Sequence, residues 1–158
     1  MSERTRFRLR LGLFLLASEG LVIGVQALFL PHYFYEKFFL GAGWLTKLGP
    51  YSEHLTRDAG ALYLGLTVVT VWAMVKLVPD LVYAAAAANA VAAFPHMVFH
   101  FAHSQQSGGL ETVPQAGTLL ATVLISVGLI FVARTGEREK AGTARARAGL
   151  GVPAGSER

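Results

Sequence analysis

Cysteine is absent from the 158 residues, which excludes disulfides, thiolate metal sites and cysteine nucleophiles together. Charge is scarce as well. Only 15% of the chain is Asp, Glu, Lys or Arg, against 53% hydrophobic residues, and the mean hydropathy is +0.46. That balance excludes an ordinary soluble domain of this length. The small net charge of +4 gives no electrostatic footprint for nucleic acid. Any metal site would have to be built from nitrogen and oxygen ligands alone.

What is present is long apolar runs. A bilayer core of about 30 Å needs roughly 20 apolar residues per helix, and four segments meet that length, at about 9–30, 51–78, 81–103 and 113–133. The expectation is an all-α integral membrane four-helix bundle, one domain over 1–134, followed by a disordered basic cytoplasmic tail over 135–158 that lacks a periodic apolar face. Arg4, Arg6, Arg8 and Arg10 resemble the start of a signal peptide. The apolar stretch nevertheless continues ten residues past Ala17-Ser-Glu-Gly20 with no small-x-small cleavage site at its end, so a retained span is expected.

Basic residues set the expected orientation. With four spans both termini share a side, and that side carries eleven of the Lys and Arg residues while the other carries only Lys37, Lys47 and Arg57. The positive-inside bias places both termini in the cytoplasm and the bundle in the cytoplasmic membrane, its basic flanks near anionic lipid. Between spans one and two, Pro31-His-Tyr-Phe-Tyr-Glu-Lys-Phe-Phe-Leu40 mixes rings with charge. It is expected to lie in the outer interface and cap the mouth of the bundle.

The polar residues inside the spans are few, and each one asks for a partner. Glu19 is the one carboxylate of the first span, and Asn89 of the third lies at similar depth. The second span opens at Tyr51-Ser-Glu-His-Leu-Thr-Arg-Asp58, with Ser52 as N-cap and His54 four residues before Asp58, on one face. Arg57 could pair with Asp58 or Glu111. Gly60, Ala61 and Gly65 below offer a small-residue surface for a neighbouring helix. In the third span, His96, His100 and His103 fall within roughly 60° of one another at about 100° per residue, just after Pro95, where a kink is expected. If spans two and three are antiparallel neighbours, His54, Asp58, His96, His100 and His103 overlap in depth. Such a set suits a transition metal such as zinc, iron, copper or nickel, or, without metal, proton transfer and the head of a polar ligand. Taken singly, each histidine also fits a plain interfacial or hydrogen-bonded residue. The fourth span carries nothing ionisable and reads as structural wall.

Glu53-His-Leu-Thr-Arg-Asp-Ala-Gly60 opening span two, Phe94-Pro-His96 to His100 ending span three, and the aromatic segment after span one resemble the small bacterial DoxX-like membrane proteins, most closely an actinobacterial branch of them. The resemblance covers about 9–133. It implies a four-helix bundle in the cytoplasmic membrane, and the name-giving members are tied to quinone-linked thiosulfate oxidation, for which no motif is found here. Two function classes stand open. One is a membrane oxidoreductase acting on a quinone or another lipid-soluble small molecule, with His54, Asp58, His96 and His100 as its working groups. The other is a non-enzymatic bundle, either a small-molecule binder or transporter or an accessory subunit, as a homo-oligomer or beside a membrane partner.

Overall fold

Ser2 starts the first helix. Its side chain accepts from the Thr5 amide at 3.3 Å, capping α1, which runs over Glu3–Phe29 until Pro31, whose ring cannot supply a helical N–H. Pro31 instead occupies the first position of a short helix, α2 (Pro31–Lys37). A single 3-10 turn follows at Trp44–Lys47. Ser52, the expected N-cap, accepts from the Leu55 amide at 3.4 Å and opens α3 (Glu53–Lys76). Two residues later comes α4 (Pro79–Ala102), unbroken through Pro95, and then α5 (Gly109–Gly149). This computed structural model describes residues 1–38, 44–47, 49–102 and 109–149, and among them there is no strand. His103, most of the 39–48 stretch and residues 150–158 lie outside the described residues.

Among the described residues four helices are long and apolar enough to cross a membrane. Their outward faces are apolar too: Phe7, Leu62, Val91 and Phe131, one from each long helix, are 61–75% exposed. In water that surface would be an aggregation hazard, whereas acyl chains accept it. The chain is therefore built as a multi-pass membrane protein.

The helices associate as two pairs. In one, α1 packs along α3; in the other, α4 packs along α5. Small residues allow the first contact. A Cβ on Gly60 of α3 would lie 2.9 Å from both the Ala27 carbonyl carbon and Leu28 Cα, and one on Gly24 of α1 would lie 2.8 Å from the Leu64 side chain. Backbones this close are the packing that membrane helices use in place of a hydrophobic driving force. Arg57 reinforces the pair, donating from Nη1 to the Leu28 carbonyl at 2.6 Å and from Nε to Glu53 at 2.8 Å. Leu28 lies among the last carbonyls of α1, which have no partner within their own helix. Of the glycines expected at this surface, Gly65 does not take part: nothing lies within 4 Å of a Cβ placed there.

The two pairs meet where the start of α1, the Leu129–Ala133 part of α5 and the α3–α4 connection lie, here called the termini end. Leu9, Leu13 and Leu16, one face of α1, close against Leu77 of α3, Val82 of α4 and Leu129 of α5 in the buried core. Leu77 is the unusual residue of the connection, held in the left-handed region at φ 50° and ψ 35° although 93% of its surface is covered. A non-glycine residue there costs about 1–2 kcal/mol, which burial of a leucine side chain offsets.

The final helix departs from the sequence expectation. It does not end near Ala133 before a disordered tail; it continues through Arg134 to Gly149, because Ala, Arg, Glu and Lys are strong helix formers even without an apolar face. The extension also holds the start of α1. Glu139 accepts from the Ser2 amide at 2.6 Å, the Ser2 hydroxyl at 3.0 Å and the Thr5 hydroxyl at 3.0 Å. Beyond Ala133 this part of α5 carries no apolar run: Arg134, Glu137, Arg138, Glu139 and Lys140 follow in close order. The Ser2 amide above all, with the two hydroxyls, holds the Glu139 carboxyl below its usual value of 4.5. A depressed carboxyl contributes stability above its unfolded pKa and loses it as pH falls through the folded one. Amide exchange in the first turn of α1 is thus expected to accelerate as pH falls below about 4.5 relative to Glu139→Gln. A change of equal size in both proteins would show that the clasp does not govern this turn.

Candidate functional site

At the end opposite the termini the two pairs part, and a cavity of about 510 Å³ lies between them. All four long helices contribute walls, and Phe34 of α2 and Phe38 just after it line it as well. The lining is mostly apolar, and Glu19 of α1, Tyr63 of α3, and His96 and His100 of α4 reach it, beside the hydroxyl residues Ser18 and Thr118. Three of the residues singled out from the sequence, Glu19, His96 and His100, therefore share one cavity.

Glu19 is half-buried and meets Thr122 of α5, whose hydroxyl lies 2.5 Å from Glu19 Oε2 and 3.0 Å from the Thr118 carbonyl. The hydroxyl has one hydrogen for two acceptors. When it donates to Thr118, the hydrogen in the Glu19 contact must come from the carboxyl, so the pair is compatible with either state of the glutamate. The expected partner, Asn89, is engaged elsewhere. Its amide donates to Thr70 Oγ1 at 3.0 Å and to the Ala85 carbonyl at 2.9 Å, which ties α4 to α3.

His96 and His100, one turn apart, face each other with Nε2 atoms 2.9 Å apart and ring centroids 4.7 Å apart. A contact of this kind needs one hydrogen between the two nitrogens, so two imidazolium rings cannot occupy it together. His100 is 6% exposed, whereas His96 lies at the surface of the helix. The two rings form a graded pair, one deep and one shallow.

His54 and Asp58 do form the i,i+4 pair expected, with 3.3 Å between Nε2 and Oδ2. They do not join the histidines of α4. The His54 side chain is 91% exposed, and neither residue lines the cavity. The reason is the pairing of helices: α3 packs chiefly on α1, and its contact with α4 is slight, so equal depth does not bring the two sets together. Among the described residues no group of three or more His, Asp or Glu side chains is placed to hold a metal ion; the set of His54, Asp58, His96, His100 and His103 is not assembled there, and His103 lies outside those residues. Arg57 holds Glu53 and the Leu28 carbonyl, not Asp58.

Sequence reasoning missed Tyr63 and Thr122. The signal for Thr122 was present in the threonines at 118 and 122, spaced one turn apart in a span otherwise read as wall. The signal for the α1 seam was the Gly20-x-x-x-Gly24 spacing. No family model, no curated protein and no solved structure matches this chain.

Proposed function

We propose that this chain is a multi-pass protein of the bacterial cytoplasmic membrane, with both termini in the cytoplasm, that binds a lipid-soluble small molecule of the quinone class in the chamber between its helix pairs. The observation that carries the reading is the convergence of Glu19 and the His96–His100 pair on one cavity whose remaining lining is mostly apolar. Sites for small ligands have this make-up, an apolar body with a few placed polar groups. A quinone or quinol head offers carbonyl or hydroxyl oxygens to an imidazole N–H and a carboxyl, and its ring and substituents suit the apolar walls. The same groups could take or return the protons that quinone reduction and quinol oxidation require. The resemblance to the DoxX-like proteins points the same way through the quinone-linked chemistry of their name-giving members.

Binding is favoured over passage across the membrane. The termini end of the bundle is closed by a buried apolar core of Leu9, Leu13, Leu16, Leu77, Val82 and Leu129. The test is calorimetric titration of a short-chain quinone into protein held in lipid nanodiscs. Saturable binding is expected, weakened about tenfold or more by the His96→Ala, His100→Ala double variant, because each lost hydrogen bond of this kind contributes about 0.5–1.5 kcal/mol. His54→Ala with Asp58→Ala should bind as the native protein does. Absence of saturable binding, or equal loss in both double variants, would overturn the reading.

A further inference from the structure

Polar contacts tie the two helix pairs together in the half of the bundle where α1 begins. Ser2 and Thr5 meet Glu139, Asn89 meets Thr70, and Thr122 meets Glu19, all between the termini and mid-depth. Above Glu19, α1 turns its small residues to α3, with Gly24 against Leu64 and Ala27 against Gly60. At the far end Phe34 of α2 is 9% exposed and packs with its ring 4.5 Å from that of Phe38. Both rings line the chamber, so apolar rings stand at the end that faces water. The sides differ. Val22 lines the chamber yet is 53% exposed, and it begins a run with Val25 and Phe29 along one exposed face of α1. On α4, His96 similarly belongs to the exposed face that includes Phe99.

We propose that the chamber is loaded sideways from the bilayer, through the parting between the α1/α3 and α4/α5 pairs, by an amphiphile that keeps its alkyl or isoprenoid tail in that parting. This inference rests on the chamber being a ligand site and adds the route and the form of the ligand. The head reaches inward to Glu19 and His100, the deep polar groups. The tail lies against Val22 and the outward apolar face, at a depth where the surroundings are acyl chains and an apolar chain loses nothing by staying outside. A ligand arriving from water would instead have to displace the α2 rings.

The absence of cysteine makes the test direct. Val22→Cys and, separately, Phe99→Cys each introduce a single thiol for a nitroxide spin label in the full chain reconstituted into phosphatidylcholine bilayers. Electron paramagnetic resonance then compares collision with oxygen, which concentrates in lipid, and with a water-soluble nickel chelate. High oxygen and low nickel accessibility at both positions is expected, with a loss of oxygen accessibility at Val22 when a decyl-tailed quinone is added. Dominant nickel accessibility at Val22 would overturn the sideways route. So would an unchanged oxygen signal at a quinone concentration that saturates the calorimetric titration, and in that case the ligand site itself would stand. A negative titration would remove the ligand site, and the sideways route with it.

Discussion

Gly60→Leu is expected to lower the stability of the bundle by about 3 kcal/mol, the upper end of what overpacking costs. Two effects oppose each other, and their sizes decide the sign. Leucine is a better helix former than glycine, by somewhat less than the roughly 0.8–1.0 kcal/mol that separates glycine from alanine, which favours the variant. Against this, the new Cβ would fall 2.9 Å from the Ala27 carbonyl carbon and Leu28 Cα. Those are backbone atoms of α1, so relief requires the whole helix to move away, and with it the Leu28 carbonyl that Arg57 reaches at 2.6 Å. The backbone clash wins. Gly65→Leu is the matched control, because nothing lies within 4 Å of its Cβ position and only the propensity gain remains. Thermal unfolding in mild detergent should therefore rank Gly65→Leu at or above the native protein and Gly60→Leu far below it. Equal behaviour of the two variants would mean that the α1–α3 seam does not hold the fold.

Replacing Glu19 by leucine should have opposite effects on stability and binding. Removing a half-buried carboxyl and its contact with Thr122 in favour of an apolar side chain of similar size is often neutral or stabilising. Thermal stability should hold or rise. Quinone affinity should fall about two- to tenfold, because one of the polar groups of the chamber is gone. That divergence separates a binding residue from a structural one, as sites that bind ligands commonly sacrifice stability for function. If affinity and melting temperature fall together in titration and thermal scans, Glu19 is a strut of the bundle.

The four spans were legible because length and hydropathy alone carry them. The pairing of spans was not. A membrane helix turns apolar residues both to its neighbours and to lipid, so the periodic contrast that orients a helix in water is missing. Depth could therefore be read for Glu19, Asn89, His54 and His96, but direction could not. This is why Glu19 was matched to Asn89 at its own depth, while Thr122 on the supposedly featureless span was the group it met. The i,i+4 spacing revealed both imidazole contacts, His54 with Asp58 and His96 with His100, since it depends only on the local helix. Which of the two would share a cavity depended on α3 choosing α1 over α4. That choice was written in Gly20, Gly24 and Gly60, residues whose meaning lies in the close approach of a second backbone. The end of α5 was missed because polar helix formers give no apolar face to read.

The connection between α3 and α4 is two residues long, Leu77 and Val78, and one of them is held in the left-handed region. A tether so short acts as a high effective concentration of one helix pair for the other, and the closure entropy it demands is small. The docking of the pairs can then rest on a modest core near the tether, with no need for contacts along their full length. The far half is thereby freed from the work of holding the molecule together, and an open chamber can exist there at little cost in stability.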